Sequence, residues 1–69
     1  MNIEVRYKIR TIRMKRGITL RQLERISSVS KSELSNIERN NADPTLKTLL
    51  MIAFALQVNL NELFEILVK

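Results

Sequence analysis

The residues best suited to chemistry lie in one short stretch, residues 30–39. Polar side chains occupy positions 31, 32, 35 and 36, and apolar side chains occupy positions 34 and 37. At 3.6 residues per turn, this spacing predicts a helix whose Leu34 and Ile37 face inward while a polar edge faces outward. Such an edge can hydrogen-bond the base edges that line the major groove of DNA.

The types of these polar residues indicate which bases they could contact. Lys31 can donate to guanine O6 and N7, and Asn36 can form two hydrogen bonds with adenine N6 and N7. Ser32 and Ser35 face outward as well and tolerate several bases. Glu33 has two interpretations, since it either accepts from cytosine N4 or completes a helix capping box. The competing interpretation of the whole stretch is an ordinary solvated helix face.

The composition argues against catalysis. The 69 residues are enough for one compact domain, residues 1–69, and they contain neither histidine nor cysteine. The chain therefore lacks the commonest general base and the commonest metal ligands, and no glycine-rich phosphate loop is present. We expect no catalytic residues, no metal site, no cofactor and no enzymatic activity.

The charge is unevenly distributed. Residues 1–39 contain ten Lys or Arg and four Glu, whereas residues 40–69 contain two Lys and three acidic residues. This asymmetry favours a polyanion partner for the N-terminal half, although a solvated basic surface would look the same. No apolar run approaches the ~18 residues of a membrane span, and the N-terminus lacks the apolar stretch of a signal peptide. We therefore expect a cytoplasmic protein that does not bind membranes.

Helix signals dominate the chain and predict an all-α fold. Capping boxes pair Thr19 with Gln22, Ser30 with Glu33 and Asn59 with Glu62, and Thr45 is a fourth candidate cap. Gly17 is placed to end the first helix in a left-handed conformation. The expected helices cover about 3–16, 20–27, 31–39, 46–56 and 60–68. Since only three residues separate the second helix from the third, the two must cross steeply, as in a helix-turn-helix at about residues 19–39.

Four segments resemble the lambda-repressor/Cro-like helix-turn-helix family, also called XRE-type regulators. Residues 17–23, GITLRQL, resemble its G-[LI]-T-x-x-x-L segment, and residues 29–40, VSKSELSNIERN, resemble its V-S-x-x-x-[IL]-S-x-[IL]-E-x-[GN] segment. Residues 43–50, DPTLKTLL, and 58–64, VNLNELF, resemble the two segments that follow. The resemblance implies a compact five-helix DNA-binding domain whose third helix reads bases.

Four positions depart from the family pattern. Leu20 replaces a glutamine that usually contacts phosphate, so that anchor is either missing or replaced by Thr19 or Arg21. Glu24 replaces a small residue, and its carboxylate must turn outward toward Arg21, Arg25 or Lys31, or the helices must cross more widely. Ser28 replaces the turn glycine and would be strained by ~1–2 kcal/mol in a left-handed conformation. Asn40 replaces a glycine but tolerates that conformation.

The resemblance also implies supporting roles. Arg13 and Glu38 match a pair that in several phage repressors forms a buried ion pair between the first helix and the end of the third. Their role would be structural. The candidate phosphate contacts, which position the protein without reading sequence, are Thr19, Arg21, Arg39, Asn40, Asn41 and Arg16.

Surplus apolar residues at the C-terminal end predict self-association. We expect the fourth and fifth helices, about residues 45–68, to complete the core with Leu46 and Leu50 inward and to form a two-fold dimer interface. The expected interface residues are Met51, Phe54, Leu60, Phe64, Ile66, Leu67 and Val68. Tight core packing with a few exposed apolar residues is the alternative. On the second helix, Ile26 is expected to face inward.

These features predict a transcriptional regulator that binds double-stranded DNA. We expect it to bind a palindromic operator as a homodimer. We expect a repressor because repressors are frequent in the family. The alternatives are a protein-interaction module of the same fold, such as an antitoxin or anti-repressor with a protein partner, and a restriction-modification controller. Affinity for a palindrome compared with scrambled DNA separates the binder from the interaction module.

Overall fold

The computed structural model describes all residues 1–69 and contains four α-helices, one 3-10 turn and two strands. In chain order these are β1 (Ile3–Tyr7), α1 (Ile9–Lys15), α2 (Leu20–Ser27), α3 (Lys31–Glu38), α4 (Leu46–Leu56), the 3-10 turn (Leu60–Leu63) and β2 (Phe64–Val68). None of the helices combines the length and apolar character that crossing a membrane requires.

The two ends of the chain differ from the expected all-α fold. The first helix begins at Ile9 and not at Ile3, and the expected fifth helix is a 3-10 turn followed by a strand. β1 and β2 pair antiparallel, with Ile3 opposite Val68 and Tyr7 opposite Phe64. The alternation of apolar and charged residues over Ile3–Tyr7 suits a strand, and each strand satisfies backbone groups of the other.

The β1–β2 pair, called the ribbon below, has two unlike faces. Residues directly opposite one another in an antiparallel pair share a face, and successive residues alternate between faces. One face therefore carries only apolar and aromatic side chains: Ile3, Val5, Tyr7, Phe64, Ile66 and Val68. The ribbon joins the helical body where the Lys8 amide donates to the Leu63 carbonyl at 2.7 Å.

The α-helix starts follow the predicted caps, whereas the predicted cap Asn59 begins only the 3-10 turn, where its amide donates to Glu62 Oε2 at 2.7 Å. The Thr19 hydroxyl accepts from the Gln22 amide at 3.1 Å, and the Gln22 side chain accepts from the Thr19 amide at 2.8 Å. Ser30 likewise accepts from the Glu33 amide at 3.1 Å, but the Glu33 carboxylate does not return the bond. The capping box predicted for α3 is therefore only half formed. Thr45 caps α4 as expected.

Left-handed backbone conformations occur where the sequence indicated them. Gly17 and Ser28 both have φ of 66°, and Asn40 has φ of 58°. Gln57, at the end of α4, adopts the same conformation with φ of 58°. Ser28 and Gln57 therefore have Cβ atoms in a region that costs an ordinary residue about 1–2 kcal/mol.

The core lies between the helices and the 3-10 turn. Its buried residues are Ile9, Leu23, Val29, Leu34, Ile37, Leu49, Ile52, Ala53, Leu56 and Leu63. Ile26, Leu46 and Leu50 are exposed, which contradicts the inward orientation expected for them. A body this small covers only one side of α2 and α4, so apolar residues outside that side stay in solvent.

Candidate nucleic-acid interface

Helix α3 is held by its apolar side and exposes much of its polar edge. Leu34 and Ile37 are fully buried. At the start of the helix, Lys31, Ser32 and Glu33 are exposed, whereas Ser35 and Asn36 in the second turn are half-buried. The first turn of α3 is thus its most accessible part, and early positions of a recognition helix are those that reach base edges.

Asn36 has a partner within the protein. Its Oδ1 accepts a hydrogen bond from Arg39 Nη2 at 3.0 Å. An asparagine that pairs with adenine uses Oδ1 to accept from N6 and Nδ2 to donate to N7. Arg39 therefore orients the Asn36 amide with Nδ2 unshared, and its substitution would disturb that orientation as well as remove a charge.

The carboxylate of Glu24 caps α3 from outside the helix. Glu24 Oε2 accepts from the Lys31 amide at 2.8 Å. Among the outcomes that the sequence allowed, the carboxylate turns toward Lys31, although it binds the backbone rather than the ammonium group. Because this amide is already occupied, α3 has one fewer N-terminal N–H group to offer a phosphate than helices usually have.

Arg13 and Glu38 form a buried, bidentate ion pair. Arg13 Nε lies 2.8 Å from Glu38 Oε2, and Nη2 lies 3.1 Å from Oε1. Their side chains are 13% and 5% exposed. Arg13 Nη1 also donates to the Ile18 carbonyl at 2.9 Å. One guanidinium therefore joins α1, the loop before α2 and the last turn of α3.

The candidate phosphate contacts lie on two segments. The first surrounds the start of α2 and the second follows α3, and all six side chains are exposed: Arg16, Thr19, Arg21, Arg39, Asn40 and Asn41. Asn40 Oδ1 accepts from the Tyr7 amide at 3.3 Å, so only its Nδ2 group is left to donate. Leu20 packs against the core, which leaves Thr19 and Arg21 as the polar groups at that end of α2.

The residues expected at a dimer interface fall on three elements, α4, the 3-10 turn and β2. Phe54, which is 82% exposed, lies on α4 between two shallow grooves of about 450 and 610 Å³, and Met51 and Leu60 line these grooves. Phe64, Ile66 and Val68 lie on the apolar face of the ribbon, whereas Leu67 lies on the opposite face. Sequence reasoning missed Ile26 and Leu50, which line the first groove. No local pattern separates them from core residues.

One titratable group has a shifted pKa. Burial raises the pKa of the Tyr7 phenol above 10.0, and the nearby Asp43 carboxylate raises it further. No three His, Cys, Asp or Glu side chains lie close enough together to hold a metal ion.

Comparison with known proteins places the chain among helix-turn-helix proteins. The helix-turn-helix family model HTH_3 matches residues 9–63. The transcriptional regulator SlrR of Bacillus subtilis is 41% identical over 58 residues, which are 83% of this chain and 38% of the relative. SutR of Escherichia coli is 42% identical over 50 residues, or 72% of this chain and 28% of the relative. The chain thus spans less than half the length of either relative.

Solved structures give the same result. The restriction-modification controller protein C.AhdI from Aeromonas hydrophila superposes with a TM-score of 0.77 at 25% identity, covering 80% of this chain and 83% of the controller. The clp gene regulator ClgR from Corynebacterium glutamicum superposes with a TM-score of 0.74 at 31% identity, covering 78% and 57%. The family model, the relatives and the order of α1 to α4 agree: this chain belongs to the XRE-type helix-turn-helix family.

Proposed function

We propose that the protein is a sequence-specific double-stranded DNA-binding regulator of transcription that reads bases with α3. The observation that carries this proposal is the way in which α3 is held by the body and exposed to solvent. Its apolar side is fully buried, its first turn is exposed, and a buried ion pair fixes its last turn. A helix held in this way presents fixed donors and acceptors, which base recognition in the major groove requires.

The charges around α3 support a polyanionic partner. The chain carries a net charge of +5. Exposed arginines precede and follow the α2–α3 unit at positions 16 and 39, and two more lie within α2 at positions 21 and 25. Phosphate contacts from such residues give affinity and register without reading sequence. Base readout is assigned to Lys31, Ser32, Ser35 and Asn36.

The surroundings of Glu33 support a base-reading role for its carboxylate. Because its carboxylate makes neither a capping bond nor an ion pair, it is an exposed anion in the first turn of α3. A carboxylate on a DNA-facing helix repels phosphates and is tolerated where it accepts from cytosine N4. We therefore include Glu33 among the base-reading residues, and its change to Ala should relax preference at a cytosine.

The first experiment is selection of bound sequences from random duplexes, followed by binding of variants to the selected site. Asn36→Ala should lower affinity by ~1–3 kcal/mol at one position of the half-site and relax preference there. Arg21→Ala is the matched control, because Arg21 has no hydrogen bond or ion pair within the chain. The Arg21→Ala variant should bind all sequences more weakly by a similar factor. The slope of log affinity against log salt concentration should fall by about one in magnitude.

Two outcomes would contradict the proposal. A specific binder prefers its site over scrambled DNA by ~10³-fold or more. Equal affinity for both duplexes would instead support a protein-interaction module, such as an antitoxin. If Asn36→Ala and Arg21→Ala weakened every sequence equally, α3 would not be the base-reading element.

We propose further that the protein acts as a homodimer on a palindromic operator, as a repressor. The exposed apolar residues of α4 and the ribbon support self-association, and a two-fold dimer matches a palindrome. A controller of restriction-modification genes is the second candidate, since C.AhdI is covered over 83% of its length. A reporter gene placed behind the selected site separates repression from activation.

A further inference from the structure

The ribbon has one open edge, which belongs to β2. Asn2 and Lys69 exchange two backbone hydrogen bonds, of 3.0 and 2.7 Å. In an antiparallel ladder such pairs alternate with pairs whose N–H and C=O groups point away from the partner strand. By this register, the backbone groups of Phe64, Ile66 and Val68 point outward from β2. None of the backbone hydrogen bonds outside the ladder involves these three residues.

The opposite edge of the ribbon is partly occupied. On β1 the outward groups belong to Ile3, Val5 and Tyr7, and the Tyr7 amide donates to Asn40 Oδ1. The body therefore covers the inner end of the β1 edge, whereas the β2 edge is open along its length. An open edge of apolar residues is a template for another strand unless charges, proline or a bulge protect it. β2, with the sequence FEILV, has only Glu65.

The β2 edge is complementary to itself. If two copies pair antiparallel about a two-fold axis at Ile66, Phe64 lies opposite Val68 of the second copy, and Ile66 lies opposite Ile66. The outward N–H and C=O groups of both strands then meet in register. Their side chains stay on one face of a four-stranded sheet, because the axis is perpendicular to that sheet. Ile66 and Val68, which are 57% and 64% exposed, would contact apolar partners across the axis.

The charges of the ribbon allow two copies to approach. Its charged residues are Glu4, Arg6 and Glu65, and together with the adjoining Lys69 their charges sum to zero, so the +5 of the chain resides in the helical body. In the two-fold register, Glu65 lies opposite Leu67 of the second copy, which places no like charges directly opposite one another. An isolated two-stranded ribbon is also marginally stable in water, whereas three or more strands sustain a sheet.

We propose that β2 is the self-association site of this protein and that its occupant is β2 of a second copy. This inference rests on the homodimer proposed above and names its surface. The grooves beside Phe54 on α4 are the rival surface, but no strand edge borders them. The ribbon supplies both apolar side chains and unpaired hydrogen-bonding groups at one edge.

The test is sedimentation equilibrium of the free protein over a range of concentrations, with Ile66→Lys and Phe54→Lys as matched variants. Each places the same charge on an exposed position, so both should fold, which circular dichroism checks. Ile66→Lys sets two ammonium groups face to face at the axis and should raise the dimer dissociation constant by about tenfold or more. Phe54→Lys should leave it nearly unchanged.

Amide hydrogen exchange gives an independent readout. In the dimer the amides of Phe64, Ile66 and Val68 gain acceptors, so their protection should rise with protein concentration. The Ile3 and Val5 amides on the other edge should not respond. An exclusively monomeric wild type, or a dimer that Phe54→Lys disrupts and Ile66→Lys does not, would overturn the proposal. Half-site preference of the Ile66→Lys monomer tests DNA reading separately, because the base-reading residues are intact.

Discussion

The ion pair between Arg13 and Glu38 gives a sharp test of how α3 is held. Arg13→Met keeps much of the side-chain length but leaves the Glu38 carboxylate, 5% exposed, without its cation. Removing one partner of a buried pair costs about 3–5 kcal/mol, and a domain of this size has roughly 3–10 kcal/mol of stability in all. We therefore expect the melting temperature to fall by about 12 °C or more.

The double variant Arg13→Met/Glu38→Leu separates the buried charge from the lost contact. It removes both ions, so most of the stability should return, although the bond from Arg13 to the Ile18 carbonyl remains absent and costs about 1 kcal/mol. Arg10→Met, an exposed position on the same helix, should change stability by less than about 0.5 kcal/mol.

Urea and thermal unfolding followed by circular dichroism measure all three variants. The reasoning is refuted if Arg13→Met costs less than about 1 kcal/mol, which is the range of solvent-exposed pairs. It is also refuted if the double variant is as unstable as the single one. The first result would mean that solvent screens the pair, and the second would mean that the stability is lost with the contacts of Arg13 and not through an unpaired Glu38 carboxylate.

Three further predictions concern local features. Ser28→Gly should raise the free energy of unfolding by about 1 kcal/mol, because glycine removes the Cβ strain at φ 66°; a chemical denaturation curve measures this. Glu24→Ala should lower stability by about 1 kcal/mol through loss of the cap on the Lys31 amide, yet raise affinity for any duplex at low salt, measured by fluorescence anisotropy. The Tyr7 pKa lies above 10.0, so its contribution to stability is complete below pH 10 and is lost as pH rises through the folded-state pKa. Since Tyr7 is the only tyrosine and tryptophan is absent, ultraviolet titration reports it alone, and Asp43→Asn should move the midpoint downward but not remove the shift.

The helix-turn-helix was predictable because its signals are local. Thr19 and Ser30 begin α2 and α3, and Ser28 adopts the left-handed conformation that its place in the turn demands. Each of these positions depends on residues within a few places along the chain, so the sequence pattern contains the necessary information. The family resemblance added the ion pair, which joins residues 25 positions apart.

The ribbon was missed because its pairing is not local. Ile3, Val5 and Tyr7 alternate with Glu4 and Arg6, but this period-two signal is only five residues long. Val5, Ile9 and Ile12 also fit a helix, and two interpretations of five residues cannot be separated without the partner strand. The partner strand lies at the other end of the chain. There the capping pattern before the 3-10 turn suggested a single helix over residues 60–68, although only the turn is helical and β2 follows it.

The sequence pattern also predicted the wrong orientation for some apolar residues of α2 and α4. Ile26, Leu46 and Leu50 satisfy helical spacing for an inward face, yet all three lie in solvent. A periodic pattern fixes which residues share a side, whereas the width of the buried side depends on how many elements cover the helix.

The family match ends at residues 9 and 63, and the strands begin directly outside it, at 3–7 and 64–68. The ribbon is therefore an attachment, connected to the helical unit through Lys8 at one end and the Leu63–Phe64 junction at the other. Substitution can change the outer residues of its strands, whereas Tyr7 and Phe64 pack against the core and would have to be kept. Grafting other ribbons onto the same stem would give a series of chains that keep one operator and differ in how they assemble on it.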